Sequence, residues 1–309
     1  MNFNKILLII LLCFGFGAST QDQKLPIPLS LRTANYDINL TLDVDKKQVE
    51  AQQYLTFKNP SSDTIWTMPF HMYYNAFKNN KSTFALEANS ILSSKSPEDV
   101  ENGIWSWIKV TEVTDQEGNN LSDSLSFVSV DDKNENDHTV LILRLKEPIL
   151  PHGTYGINMK WTSQIPKTSI RTGYNRDYFF MAQWYPKLGV YEPAGSRFAK
   201  KGQWNCHQYH ANTEYFGEFG VYKVNITVPE NFVVGASGFL VEEKEAPKNL
   251  SLSLSRPLKT YTYLAEDVID FTWTANPHFI VLEEKWKDVQ IKLLIMPEHV
   301  CNKERFLSA

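Results

Sequence analysis

The stretch that decides the fold class is "YDINLTLDVDKKQVEAQQYLTFKN", residues 36–59. In its first half the apolar residues occupy every second position: Tyr36, Ile38, Leu40, Leu42 and Val44. After the polar turn "DKKQ", Val49, Leu55 and Phe57 again share one parity. Because successive side chains of a strand point to opposite faces, each half presents one apolar face. The stretch therefore predicts a half-buried antiparallel hairpin.

The same alternation recurs along most of the chain. The runs are "HTVLILRL" (138–145), "GTYGINMKW" (153–161), "VYKVNITVP" (221–229), "LSLSLS" (250–255), "KTYTYLAE" (259–266), "DFTWTAN" (270–276) and "DVQIKLLIMP" (288–297). Polar and glycine- or proline-rich turns separate them. Only "PEHVCNKERFLSA" (297–309) predicts the start of a helix. We therefore expect an all-β fold of antiparallel sheets packed face to face.

A nearly continuous apolar run, "YFFMAQWYP" (178–186), contains one amide, Gln183. A run of this kind predicts a strand buried on both faces. A buried amide without partners costs about 1–3 kcal/mol. Gln183 must therefore either bond to neighbouring backbone or face a wet cleft, and composition does not decide between these.

The first residues, "MNFNKILLIILLCFGFGAST", have a charged start, a short apolar run and a small-residue end. The run is shorter than the roughly 20 residues of a membrane-spanning helix. It predicts a secretory signal peptide over residues 1–20. We expect a periplasmic or extracellular protein after cleavage, without a stable membrane anchor. Outside this segment only Cys206 and Cys301 remain, and two buried free thiols are favoured over one bridge.

A net charge of −4 and no basic stripe argue against a nucleic-acid partner. "WNCHQYHANTE" (204–214) holds four residue types that bind metals: Cys206, His207, His210 and Glu214. Glycines and alternating residues around it favour a strand or loop, where histidines at i and i+3 point to opposite faces. Residues at i and i+4 of a strand lie about 13 Å apart, whereas zinc bonds are about 2.0–2.3 Å long. We therefore expect both histidines to bond to neighbouring loops and the chain to bind no cofactor itself.

Three segments carry a resemblance to a known family: "RTGYNRDYFFMAQWYPKLGVYEP" (171–193), "WNCHQYHANTEYFGEFGVYKVNITVPENFVVGASG" (204–238) and "AEDVIDFTWTANPHF" (265–279). In this order they resemble the amino-terminal domain of the aminopeptidase N family of zinc metallopeptidases, the gluzincins. The similarity is greatest to the secreted bacterial branch. "FHMYYNAF" (70–77) looks like an early strand of that domain, and the resemblance spans about Tyr36 to Ile295.

The resemblance implies a saddle-shaped β domain over residues 21–297 that docks on a thermolysin-like catalytic domain. Residues 298–309 would then be the truncated start of that second domain. In the family, the catalytic domain carries the zinc, the H-E-x-x-H motif and the G-x-M-E-N exopeptidase loop, and neither motif occurs in this sequence. The zinc is therefore implied for the catalytic domain, and this chain alone is expected to be inactive.

Two positions match the family's substrate cleft. Gln183 matches the glutamine of the "Q-x-E-P" segment, which lies near the first residue of the bound peptide. Tyr185 stands where the family often has a glutamate that binds the free α-amine. A neutral phenol cannot form the same charge-assisted bond, so strict aminopeptidase specificity does not follow.

Two functions from different classes remain open. The first is the substrate-cleft domain of a secreted zinc metallopeptidase, whose partners are a peptide substrate and a catalytic domain. The second is a stand-alone exported β-sandwich that binds a protein or a glycan through exposed aromatic residues. The DNA downstream of codon 309 would discriminate, because an open frame that encodes H-E-x-x-H favours the first.

Overall fold

The computed structural model describes residues 27–88, 105–167, 172–213, 216–254 and 256–308. The predicted signal peptide over residues 1–20 lies outside these ranges. The strands are β1 (Ala34–Asp43), β2 (Gln48–Lys58), β3 (Ile65–His71), β4 (Trp107–Asp115), β5 (Leu125–Phe127), β6 (Val140–Ile149), β7 (Thr154–Gln164), β8 (Gly173–Asn175), β9 (Tyr178–Met181), β10 (Lys187–Leu188), β11 (Val190–Glu192), β12 (Gln203–Asn205), β13 (Gly220–Pro229), β14 (Val233–Ala236), β15 (Phe239–Glu245), β16 (Leu258–Val268), β17 (Trp273–Asn276), β18 (Ile280–Trp286) and β19 (Val289–Ile295). The α-helices are α1 (Thr83–Glu87), α2 (Lys248–Ser253) and α3 (Lys303–Leu307), and 3-10 turns cover Tyr73–Phe77, Ser122–Ser124 and Pro297–Asn302.

These strands form three larger sheets and two ribbons within the described ranges. The largest sheet has the order β15-β16-β13-β1-β2-β7-β4. The four-stranded sheets have the orders β10-β3-β6-β5 and β14-β17-β9-β8, and the ribbons pair β11 with β12 and β18 with β19. The all-β prediction is confirmed. One pair, β1 with β13, is parallel, which a purely antiparallel expectation missed. The long connection between these two strands permits this direction.

The opening hairpin forms as predicted. β1 and β2 are antiparallel, with Leu42 opposite Val49 and Ala34 opposite Phe57. Ile38, Leu42 and Phe57 are almost completely buried. The opposite face is polar, so the sheet buries one face and exposes the other to water. There the Asn225 amide of β13 donates to Asn39 Oδ1 of β1 at 2.8 Å.

One hydrophobic core joins the large sheet to both four-stranded sheets. The inner face of β1 and β2 packs in the same cluster as Phe70 of β3, Leu143 of β6, Phe179 of β9 and Trp273 of β17. All four of these side chains are at most 1% exposed. Full burial of a large apolar side chain contributes about 1.5–3 kcal/mol. This packing therefore holds the loops between the sheets, where the candidate site lies.

Two other predictions need correction. "LSLSLS" (250–255) was expected to be a strand, but α2 covers most of it. Pro247 precedes the helix and favours a helix start. Leu250 and Leu254 are also at helical i, i+4 spacing, so six alternating residues are compatible with both a strand and a helix.

Cys206 is buried and free as expected, whereas the free Cys301 is exposed. Cys301 lies in the last 3-10 turn, away from the core. The helical start predicted after residue 297 is confirmed.

The described residues contain no helix with both the length and the apolar character needed to cross a membrane.

Candidate functional site

The segment that contains Gln183 is not a regular strand. β9 ends at Met181, and Gln183 has φ = 56°. A left-handed conformation at a non-glycine residue costs about 1–3 kcal/mol, so surrounding contacts must hold it. Phe180 is 37% exposed. The predicted strand over 178–186 is therefore confirmed only for Tyr178–Met181, where burial alternates, because contacts with other elements hold residues 182–186 out of strand geometry.

Those contacts converge on one carboxylate, that of Asp270, in the loop between β16 and β17. The Gln183 amide Nε2 donates to Asp270 Oδ2. The Tyr185 hydroxyl donates to Asp270 Oδ1 at 2.9 Å. Lys187 Nζ lies 3.3 Å from Oδ2, and the Phe271 backbone N–H donates to Oδ1 at 2.8 Å. Three alternate side chains of the 183–187 segment are thus bound to a single acid.

Tyr185 remains a neutral hydrogen-bonding group at this site. Its ring is 1% exposed. Burial, followed by the negative charge of Asp270, raises the pKa of the Tyr185 phenol well above its usual value. The hydroxyl oxygens of Tyr185 and Tyr222 are 3.0 Å apart, and the Tyr222 ring stacks on Tyr36 with centroids 4.6 Å apart. The tyrosines therefore form a rigid, uncharged wall behind Asp270.

Lys187 supplies the positive charge of the site from a buried position. The residue is 1% exposed. Burial lowers the pKa of its ammonium, and Asp270 opposes that shift. A Cβ atom at Gly217 would lie 2.5 Å from Lys187 Cε, so the absence of a side chain at 217 makes room for the lysine stem. Lys187 and Asp270 therefore form an ion pair at this site, with 3.3 Å between Nζ and Oδ2.

The two residues predicted to line a substrate cleft, Gln183 and Tyr185, come together in the structure. Both side chains contact the carboxylate of Asp270. Gln183 is 6% exposed, and its Oε1 is buried without a hydrogen-bond partner. Their contact with substrate stays a prediction. The sequence interpretation did not single out Lys187 and Asp270, although both lie within the segments that carry the family resemblance.

Both histidines of the 204–214 stretch bond to Asp131 in a neighbouring loop, as predicted, and His210 also bonds to Glu87 at the end of α1. His207 Nδ1 lies 2.7 Å from Asp131 Oδ1. His210 Nδ1 lies 2.7 Å from Glu87 Oε1, and its Nε2 lies 3.2 Å from Asp131 Oδ2. Cys206 is buried, and burial raises the pKa of its thiol. Its sulfur is therefore a poor source of the thiolate that metals bind.

The described residues contain no group of three histidine, cysteine, aspartate or glutamate side chains placed to hold a metal ion. Glu214 lies outside the described residues. His210 already uses both ring nitrogens, and His207 uses one. A catalytic zinc site needs three protein ligands, so the residues of this stretch do not fit one.

The His210 contacts predict a pH-dependent stability. Burial disfavours the charged ring, but the hydrogen bonds with Glu87 and Asp131 outweigh it and raise the pKa of His210. A raised pKa in the folded state stabilises the fold below the unfolded value of about 6.5. That stabilisation should disappear as the pH rises through the folded pKa. Denaturant unfolding from pH 5 to 8 should show that the stability of the parent relative to His210→Asn falls as the pH rises.

The exposed residue His278 offers a control for this measurement, because its ring lies outside the His210 cluster. His278→Asn should keep the pH profile of the parent. Identical profiles for the parent and His210→Asn would contradict the prediction.

No protein-family model matches the sequence, and no curated protein matches it. Among solved structures, the chain is similar to an M1 zinc metallopeptidase from Deinococcus radiodurans, with 12% identity, a TM-score of 0.46, and coverage of 85% of this chain and 47% of that one. It is similar to a two-domain M1 zinc metallopeptidase variant bound to L-arginine, with 11% identity, a TM-score of 0.45 and coverage of 85% and 47%. A third is the Deinococcus radiodurans enzyme variant bound to Tyr-Ser-Ala, with 11% identity, a TM-score of 0.45 and coverage of 89% and 52%. The chain thus spans about half the length of these proteins.

Proposed function

We propose that this chain is the substrate-cleft and scaffold domain of a secreted zinc metallopeptidase, and that it binds peptides together with a catalytic domain. The observation that carries the proposal is that residues from all three segments that resemble the family contact one another. Gln183 and Tyr185 of the first bond to Asp270 of the third, and Tyr222 of the second lies against Tyr185. Residues that are distant in sequence but share one resemblance therefore build one site.

Within this proposal the chain binds and orients substrate and performs no bond cleavage. Zinc would polarise the scissile carbonyl and activate water, and the described residues here do not fit a zinc site. The Gln183 amide NH₂ donates to Asp270, and its carbonyl oxygen is buried without a hydrogen-bond partner. Its proposed role is a single hydrogen bond to the backbone of the bound peptide.

The charges of the site bear on specificity. Tyr185 is neutral, and the Asp270 carboxylate already has the Lys187 ammonium as its partner. A substrate α-ammonium would therefore find no unpaired carboxylate among these residues, and a buried cation needs one. We propose that this domain recognises the peptide backbone, and that any preference for a free amino terminus comes from the catalytic domain.

The proposal predicts a small, selective effect for Gln183→Ala. In this chain joined to the catalytic domain of a full-length relative, kcat/KM should fall about two- to tenfold, since one hydrogen bond is worth about 0.5–1.5 kcal/mol. Stability should change little, because Asp270 keeps its bonds to Tyr185, Phe271 and Lys187. Peptide kinetics and thermal melts of variant and parent would measure both effects.

Gln52→Ala is the matched control, because Gln52 is an exposed amide on the outer face of β2. It should leave both quantities unchanged. A large drop in melting temperature with unchanged kcat/KM for Gln183→Ala would identify Gln183 as a structural amide and reject the cleft assignment.

A further inference from the structure

A second cavity lies beside the 204–214 stretch, whose metal-binding residue types the proposed function does not use. Its volume is about 380 Å³, and Arg197, Asn205, His207 and Thr213 are among the residues that line it. Clefts of about 300–1,000 Å³ are the usual size for small-molecule sites. The side chains of Arg197 and His207 are 57% and 64% exposed, so a ligand can reach this cavity from the solvent. No aspartate or glutamate is among its described lining residues.

Arg197 supplies the positive charge of this cavity from a tight turn. Its backbone has φ = 49°, a left-handed conformation that local preference opposes, and the Gly195 N–H closes the turn by donating to the Ala199 carbonyl at 2.8 Å. The guanidinium carbon lies 4.3 Å from the centre of the Phe216 ring, which is within the range of a cation–π contact. Its Nε is 3.8 Å from Glu192 Oε1, and this distance is too long for a hydrogen bond. The N–H donors of the guanidinium are therefore not committed to Glu192 and remain available to a ligand.

The carboxylates around the cavity are bound by other groups. Asn205 Nδ2 donates to Glu192 Oε1 at 3.2 Å, and because an amide NH₂ has two N–H donors, one is left. Asp131 Oδ1 lies 2.7 Å from His207 Nδ1, and Asp131 Oδ2 accepts from the Gln208 backbone N–H at 2.8 Å. These two acids are thus already hydrogen-bonded.

The pKa of His71 indicates a positive potential at one wall of the cavity. His71 also lines the cavity and is 5% exposed. Burial, followed by the positive charges of Lys187 and of a protonated His207, lowers the pKa of His71 to about 3. A hydrogen bond with the His207 backbone opposes the shift, and no carboxylate of the described residues does so. Because cations lower and anions raise the pKa of an imidazole, the balance of charges around this ring is positive.

We propose that this cavity is a binding site for a small oxyanion, a carboxylate or a phosphate group, held by the guanidinium of Arg197 and the second amide N–H of Asn205. An arginine matches both groups, because its planar fork can donate two parallel hydrogen bonds to either of them. Binding should be weak, since Glu192 and Glu218 also attract Arg197. None of the residues bonded to Asp270 lines this cavity, and the inference does not rest on the proposed function.

The test is a titration of the purified chain with inorganic phosphate and, separately, with acetate, at constant ionic strength made up with sodium chloride. Proton–nitrogen NMR would follow the Arg197 Nε–H and Asn205 NH₂ signals, assigned by their absence in Arg197→Gln and Asn205→Ser. Both should shift and saturate with a dissociation constant on the order of 1–10 mM. Followed through Asn205, Arg197→Gln should raise that constant about tenfold or more, because the charge-assisted hydrogen bonds are lost.

A charge added at Thr213 separates electrostatic binding from a change of shape. Thr213→Glu and Thr213→Gln introduce side chains of nearly equal size, and only the first is negative. Thr213→Glu should therefore weaken binding about threefold or more relative to Thr213→Gln. Arg144→Gln is the matched control for Arg197→Gln, because it removes an exposed guanidinium on β6 outside the cavity and should leave binding unchanged. Arg197 and Thr213 are exposed, so these variants should fold, and thermal melts would verify this.

Tighter binding of phosphate than of acetate would identify a phosphate group as the ligand, and the reverse would identify a carboxylate. Arg197 and Asn205 signals that saturate with neither anion would overturn the proposal. Equal dissociation constants for the parent and Arg197→Gln, or for Thr213→Glu and Thr213→Gln, would overturn it as well.

Discussion

Asp270→Ala should lower the free energy of unfolding by about 3–5 kcal/mol, the usual effect of leaving a buried charge without its partner; the side chain of Lys187 is 2% exposed and that of Asp270 20%. Lys187 would keep its ammonium at a position that is 1% exposed, without a counter-charge. The Gln183 amide, the Tyr185 hydroxyl and the Phe271 N–H would also lose their acceptor. Chemical denaturation at pH 7, compared with the parent, would measure the difference.

The matched control is Asp37→Ala. Asp37 pairs with Lys223 at 3.3 Å on the solvent side of the large sheet, and exposed pairs contribute only about 0–1 kcal/mol. Adding Lys187→Met to Asp270→Ala should recover part of the loss, because the stranded charge is then removed. A loss below about 1 kcal/mol for Asp270→Ala, or no recovery in the double variant, would contradict this account of the site.

Trp184→Ala should destabilise the chain by about 3–5 kcal/mol, the usual range for removing a large aromatic side chain from a core. The Trp184 ring is completely buried. It packs against Trp161 and Trp273, with ring centroids 5.8 and 6.1 Å away. Its indole N–H donates to the Phe271 carbonyl at 2.9 Å. The variant therefore creates a cavity and removes the partner of a buried carbonyl.

The effect of Trp184→Ala should reach the candidate site, because Trp184 lies between Gln183 and Tyr185 in the chain. The control is Trp286→Ala, since Trp286 is 60% exposed on β18 and its loss should change stability by less than about 0.5 kcal/mol. Equal denaturation midpoints for the two variants would show that Trp184 does not support the packing described here.

Sequence patterns predicted best where a single face of a strand is buried. The alternation of residues 36–59 correctly predicted the buried faces of β1 and β2. When one side of a sheet faces water, a period of two assigns each side chain to either the core or the solvent. The prediction failed for residues 250–255, where short alternation also suits a helix. It failed in part for 178–186, where an apolar run carries no information about the point at which a strand ends.

By itself, the sequence determined the fold class and the inward faces of the long strands, and its resemblance to a family singled out Gln183 and Tyr185 as candidate residues. Only the tertiary structure determined which segments that are distant in sequence contact each other. β1 pairs in parallel with β13, and Gln183 meets Asp270 from 87 positions away. Periodicity is a local property of the sequence, whereas contacts between distant segments depend on how the sheets stack. The left-handed conformation of Gln183 has the same origin, because local preference opposes it and the Asp270 contacts maintain it.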